Sequence, residues 1–209
     1  RLYEEDQWLR SRLHSTPPNL DNASTLLARN GITGITDTTP GNDVATWAHF
    51  QQSQRRGELR QHVRMMGGTG LSSCIENDGM TRGELKVHLL ESQLPELPKL
   101  CRDIESAHRA NRCVAVHCVT LVELVFALHA LETAGTLAGD RIEHASVCPD
   151  EQIQLIHKLG LRVVTQPHFI AERGDQYLSD VEPCEQRWLY RAASFLKQGV
   201  PLAGGSRTR

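Results

Sequence analysis

Short apolar runs recur along the chain, and several follow a helix-periodic stretch that closes in glycine. ITGIT follows Asn30-Gly31, LRVVT follows Leu159-Gly160, and VPLAG follows Gln198-Gly199. Glycine suits the left-handed conformation that ends many helices, and an apolar run resuming behind it suits a strand. Between the runs, residues fall on one face at helical spacing: Leu97, Leu100, Cys101, Ile104 and His108, then Leu121, Leu124, Val125, Leu128 and Leu131, then Trp188, Leu189, Ala192, Phe195 and Leu196. Strands are predicted over 32–36, 62–65, 85–89, 114–117, 141–144, 161–166 and 201–203.

Strands separated by helices predict a parallel α/β architecture. A doubly wound sheet would carry a Gly-rich phosphate loop behind its first strand. The chain has none there, so a (β/α)-barrel of TIM type fits better. Such a barrel gathers its functional side chains at the C-terminal ends of its strands. Asp37, Lys86 with His88, His117, His144, and Gln166 with His168 all fall at or near predicted strand ends. The connections 67–83 and 170–186 have the length and polarity of substrate-facing loops. Arg173, Asp175 and Tyr177 on the second are candidates for substrate selection, against the alternative of a solvated loop. No linker rich in Pro, Gly and Ser divides the sequence, so residues 1–209 are expected to form a single barrel domain.

Charge narrows the partners. With 23 basic and 25 acidic residues and a net charge of −2, the chain carries no block of like charges and suggests neither nucleic acid nor an anionic membrane. A small molecule is the expected partner. At 209 residues and 39% hydrophobic content the chain can bury a sizeable core. It shows no signal-peptide pattern and no apolar run of membrane-spanning length. The cysteines form no CxxC pair, which favours reduced thiols in a cytoplasmic protein.

The strand ends carry the candidate chemistry. In VAVH, Ala115 and His117 share one face; in RIEH, Ile142 and His144 share one. If the valines meet the outer helices, both imidazoles point into the barrel mouth from adjacent strands, within reach of one divalent metal ion. The alternative is a pair of satisfied polar residues in half-buried strand ends. Lys86 either reaches solvent or pairs with Glu91, or serves as a buried Schiff-base lysine in an aldolase-like lyase.

The run from Lys86-Val87-His88-Leu89 through VAVHCVT, DRIEHASV, VVTQPHF and VPLAGGS resembles the amidohydrolase superfamily. It is most similar to the amidohydrolase-3 branch, which includes N-substituted formamide deformylases and D-aminoacylases. GITGITDTTP resembles that branch's second-strand segment, and DQWLRSRL its lead-in. The resemblance implies a metal-dependent hydrolase, with zinc as the expected cation, cutting a non-peptide C–N bond in an amide, formamide or cyclic amide. On that pattern His117 and His144 match the histidines ending the family's fifth and sixth strands. Lys86 matches the strand-four ligand, a carboxylated lysine bridging two metals, and Gln166 and His168 are placed to contact the substrate carbonyl or the developing oxyanion. The chain departs from the pattern at both ends. It has no HxH pair, and Gly204-Gly205-Ser206 leads into Arg207 where an Asp is expected. The expected architecture is therefore an incomplete (β/α)8 barrel spanning strands two to eight, without the first strand and the final helix. Its open sheet edges invite self-association. A non-catalytic barrel fragment with a binding or structural role is the alternative.

Cys113 and Cys118 flank one predicted strand and stand roughly 16 Å apart along extended chain, far beyond bridging distance. Thiol titration in denaturant without reductant should therefore count all six cysteines as free; a count of four or fewer would reveal a bridge.

Overall fold

Seven parallel strands lie side by side in sequence order and curl into a half-barrel, with helices on the convex face. The computed structural model describes residues 17–205. The DQWLRSRL lead-in and residues 206–209 lie outside the described residues. Helix α1 (Asp21–Arg29) leads to β1 (Gly34–Asp37), α2 (Val44–Arg55), β2 (His62–Gly67) and the long β3 (Met80–His88). Then come α3 (Leu97–Arg109), β4 (Val114–Cys118), α4 (Leu121–Ala134), β5 (Arg141–His144) and α5 (Asp150–Lys158). The chain continues through β6 (Arg162–Thr165), α6 (His168–Asp180), α7 (Ala192–Lys197) and β7 (Leu202–Gly204). The parallel barrel architecture expected from periodicity is observed, as the partial barrel that the family resemblance implied.

Alternation along the strands sorts the core from the interior. Val114, Val116, Cys118, Ile142 and Val163 face outward and pack under Leu100, Ile104, Leu124, Leu128, Leu131, Ile153, Ile156 and Phe195. A second cluster, Trp47, Leu59, Val63, Met65, Leu71 and Met80, seals α2 against β2 and β3. Local signals start the helices. Asp43 accepts the Thr46 N–H at the start of α2, and Thr120 forms a capping box with Glu123 at the start of α4.

The β2–β3 pairing shifts register between Met65 and Gly67. Glycine is required opposite the shift, because a Cβ on Gly83 would come within 2.9 Å of the Met65 and Met66 backbone. Arg112 locks the same region by donating to the carbonyls of Gly67, Gly68, Gly83 and Glu84 at 2.7–3.0 Å.

Three local expectations need correction. Segment 67–83 contains a 3-10 turn, Thr69–Ser73, and the start of β3. Segment 170–186 is largely helix α6; its polar composition concealed the helix because Phe169 is its one buried residue. The expected helical face from Trp188 to Leu196 is broken. Trp188 ends a 3-10 turn, and Cys148 N–H and Tyr190 N–H donate to the carbonyls of Trp188 and Ser146. The backbone there is committed to this antiparallel bridge, Tyr190 turns left-handed at φ 46°, and α7 begins only at Ala192. All six cysteines are free thiols.

Asp140 anchors the floor of the half-barrel. Fully buried, its carboxylate accepts from Val114 N–H and Leu137 N–H at 2.8 Å and pairs with His108 Nε2 at 2.9 Å. Asp140→Ala strands all three donors and should cost about 3 kcal/mol of unfolding free energy, read from urea midpoints. A loss below about 1 kcal/mol would mean that water replaces the carboxylate.

Candidate functional site

Four strand ends meet at one rim of the half-barrel. His88 ends β3, His117 is the penultimate residue of β4, His144 ends β5, and Gln166 follows β6. His88 and His117 are register partners, and their rings meet edge to face with centroids 4.5 Å apart. His117 meets His144 in the same way, also at 4.5 Å. The imidazoles thus form a row of three across adjacent strands.

His144 reaches this row by a route that alternation does not describe. Ile142 faces outward into the core, so a strand continued regularly would turn His144 outward as well. Instead His144 has φ 69° and Ala145 φ 46°, and the Ala145 N–H donates to the Glu143 carbonyl at 2.9 Å. This left-handed γ-like turn swings the imidazole into the mouth. A β-carbon residue held there costs on the order of 1–3 kcal/mol, and such strain collects at functional sites.

Gln166 then orients the ring, because its side-chain oxygen can only accept and meets His144 at Nδ1. Gly205 makes room for this amide, since a Cβ there would stand 2.7 Å from Gln166 Nε2. Phe169 stacks over His144 with centroids 6.5 Å apart, and the Arg173 guanidinium sits 5.2 Å above the Phe169 ring. Tyr177 shares a 2.9 Å hydroxyl contact with the buried Tyr190, whose phenol burial pushes upward in pKa. His168 packs edge-on against Phe169 at 4.7 Å instead of joining the imidazole row. Asp175 is exposed on α6.

Beneath the row lies a charged floor. Arg64 pairs with Glu84 at 3.0 Å, Arg141 bridges Glu84 at 3.1 Å and Glu143 at 2.7 Å, and Lys86 Nζ lies 3.9 Å from Glu143. Lys86 therefore points into the barrel and pairs with neither solvent nor Glu91. Burial lowers its pKa, opposed by the Glu143 charge and aided by Arg141. Burial also pushes the Glu84 carboxyl upward, but the Arg64 hydrogen bond and the Arg141 charge outweigh it and leave the pKa lowered.

Sequence reasoning placed Lys86 with His88, His117, His144 and Gln166 at neighbouring strand ends, without giving His88 a role, and missed Glu143, which shares the inward face of Arg141. Of the residues expected to hold a metal, His117 and His144 come together at the rim and Lys86 lies in the charged floor. Among the described residues, no group of three or more His, Cys, Asp or Glu is arranged to hold a metal ion.

No protein-family model and no curated protein matches this chain. Solved structures do. An uncharacterized metal-dependent hydrolase from Pyrococcus furiosus superposes with TM-score 0.75 at 22% identity, over 89% of this chain and 45% of its own. One from Pyrococcus horikoshii OT3 gives 0.73 at 22% identity, over 89% and 44%. An atrazine chlorohydrolase from Arthrobacter aurescens TC1, complexed with zinc, gives 0.58 at 16%, over 89% and 47%. The chain spans less than half the length of each. At these identities the likeness establishes the fold, a partial barrel of the kind that these hydrolases use. Among the described residues, no helix is long and apolar enough to cross a membrane.

The buried amine makes a test of its own. Between the lowered folded pKa of Lys86 and the unfolded value of 10.5, the unfolded chain holds more protons, so unfolding free energy rises with pH through that window. Lys86→Met should remove that rise and be neutral or stabilising by about 1 kcal/mol at pH 7, because Arg141 still pairs with Glu143. Urea titrations of both proteins across the alkaline range would show it; equal slopes would assign the rise to another group.

Proposed function

We propose that this chain carries part of the site of a metal-dependent amidohydrolase acting on a non-peptide C–N bond of a small amide, formamide or cyclic amide. The observation that supports it most is the meeting of His117 and His144 at the barrel mouth, achieved for His144 only through a strained turn. Strain at that point makes sense if the position of the imidazole matters more than the stability lost. A bound divalent cation, zinc in the favoured reading, would supply Lewis acidity and an activated water.

The chain's own residues have separate tasks in this reading. His117 and His144 donate nitrogen lone pairs, and the Gln166 amide oxygen orients the His144 ring through Nδ1. Lys86, its pKa lowered by burial, takes up carbon dioxide as the free amine, losing a proton and gaining an anionic oxygen donor. The Gln166 amide N–H is also a candidate donor to the substrate carbonyl. His168 is a weaker one because Phe169 holds its ring. Arg173 and Tyr177, with the exposed Asp175, line the approach over Phe169 and select the substrate. β1 and β7 each have a sheet partner on one side only among the described residues, so the isolated chain self-associates through these edges. With a partial donor set, it holds zinc exchangeably and hydrolyses slowly.

Burial of Lys86 also favours a second reading, a Schiff-base lyase that uses the free amine as nucleophile. Borohydride trapping with a panel of aldehydes and ketones separates the two: a stable adduct on Lys86 would support the lyase.

For the hydrolase, competition with a chromophoric chelator should reveal exchangeable zinc, weakened about tenfold or more in His117→Ala and in His144→Ala. Any hydrolysis of N-formyl and N-acyl amines should need added metal and stop with chelator. Zinc binding that ignores both substitutions, or none in the parent chain, would overturn the reading in favour of a non-catalytic barrel.

A further inference from the structure

The carboxylate of Glu123 does more than cap a helix. It stands in the first turn of α4 and is buried at 5% exposure. Its Oε2 accepts the N–H groups of Val119 at 2.7 Å and Thr120 at 3.2 Å, while the Glu123 N–H donates to Thr120 Oγ1 at 3.2 Å. These are the bonds of a capping box with one backbone donor added. The other oxygen, Oε1, accepts the Glu91 N–H at 3.0 Å, and Glu91 belongs to the loop behind β3.

One buried side chain therefore ties the backbone just past His88 to the backbone just past His117. Helix capping does not require the Glu91 bond. Its effect falls on the two loops, because the three donors on this carboxylate come from both and have no other backbone acceptor in these contacts. A carboxylate accepting several backbone N–H groups is a strong and directional clamp. His88 and His117 sit on the strand ends that it joins, with rings 4.5 Å apart.

We infer that Glu123 is a positioning residue, whose carboxylate clamps the β3 and β4 exit loops and so sets the edge-to-face placement of the His88 and His117 imidazoles. Its bearing on chemistry rests on the reading of this rim as a metal-dependent site; the ring geometry itself does not.

The test uses the full chain and three substitutions. Glu123→Gln is isosteric, but its amide nitrogen accepts nothing, so the clamp loses one loop. Glu91→Pro removes the cross-loop donor and leaves Glu123 and the α4 cap untouched. Leu90 before it is already extended at φ −130°, ψ 123°, as a residue preceding proline prefers, and position 91 opens a 3-10 turn. Thr120→Ala breaks the reciprocal cap bond alone and serves as the control for helix stability. The readouts are the nuclear Overhauser contact between the His88 and His117 rings, protection of the remaining loop amides from hydrogen exchange, and zinc affinity.

Glu123→Gln and Glu91→Pro should weaken the ring contact at least twofold and zinc affinity about tenfold. In Glu123→Gln, protection should fall about tenfold for the backbone amides that face the new amide nitrogen, either Val119 with Thr120 or Glu91. Thr120→Ala should keep the ring contact at parent strength even where its urea midpoint drops. If Glu91→Pro and Glu123→Gln, or Glu91→Pro alone where Glu123→Gln does not fold, keep the ring contact as Thr120→Ala does, Glu123 is a helix cap only and the inference falls. If the ring contact is lost while the parent chain binds no zinc, the clamp stands and the hydrolase reading falls instead.

Discussion

A charge placed inside a barrel must be paired or it will not stay charged, and this constraint organises the interior of the half-barrel. Arg64, Glu84, Arg141, Glu143 and Lys86 alternate in sign across β2, β3 and β5, so each neutralises the next. The pairing works only if these strands keep their register, because a slip by one residue would turn each charge into the apolar layer under the helices. The ladder is thus a weak source of stability and a strong source of specificity. Its last member is its loosest: Arg141 holds Glu143 at 2.7 Å, whereas Lys86 stands 3.9 Å away. The amine that the site would use is also the group least committed to the ladder.

The rim above this floor is built differently. Its polar groups are held by backbone devices: the left-handed turn at His144 and Ala145, the Gln166 amide on His144, and the Glu123 carboxylate between two loops. Floor and rim divide the work, since ion pairs set which strands lie together and hydrogen bonds set where the imidazoles point. The solved hydrolase structures with which the chain superposes share the barrel frame at 22% identity or less.

The fold was largely legible in the sequence because its signals are local. Gly at helix ends and apolar runs of strand length located the strands, and β4 alternated as expected, with Ala115 and His117 inward and Val114 and Val116 outward. The site was legible in part. Two histidines at matching strand ends were visible, but the reason that His144 points inward was not, because a positive φ at a non-glycine residue leaves no mark in composition or periodicity. Helix α6 was hidden by its exposure, as a helix with one buried residue carries almost no apolar stripe. For Lys86 the sequence left outward partners and a buried role both open, because the ladder that holds it depends on Glu143, distant in sequence and adjacent only across the barrel interior.

The strand order carries a consequence for how the chain reaches this structure. Among the described residues every strand pairs with its sequence neighbours, so the loop that each pairing closes holds no α-helix between β2 and β3, α6 with α7 between β6 and β7, and one helix in every other case. Loop-closure entropy stays small at every step, and no step waits for distant ends of the chain to find each other. The largest core cluster lies under α3, α4 and α5, around β4 and β5. Folding that starts there can grow outward in both directions, one strand and helix at a time, much as a repeat protein grows from its interior. The half-barrel is then a kinetic unit as well as a geometric one.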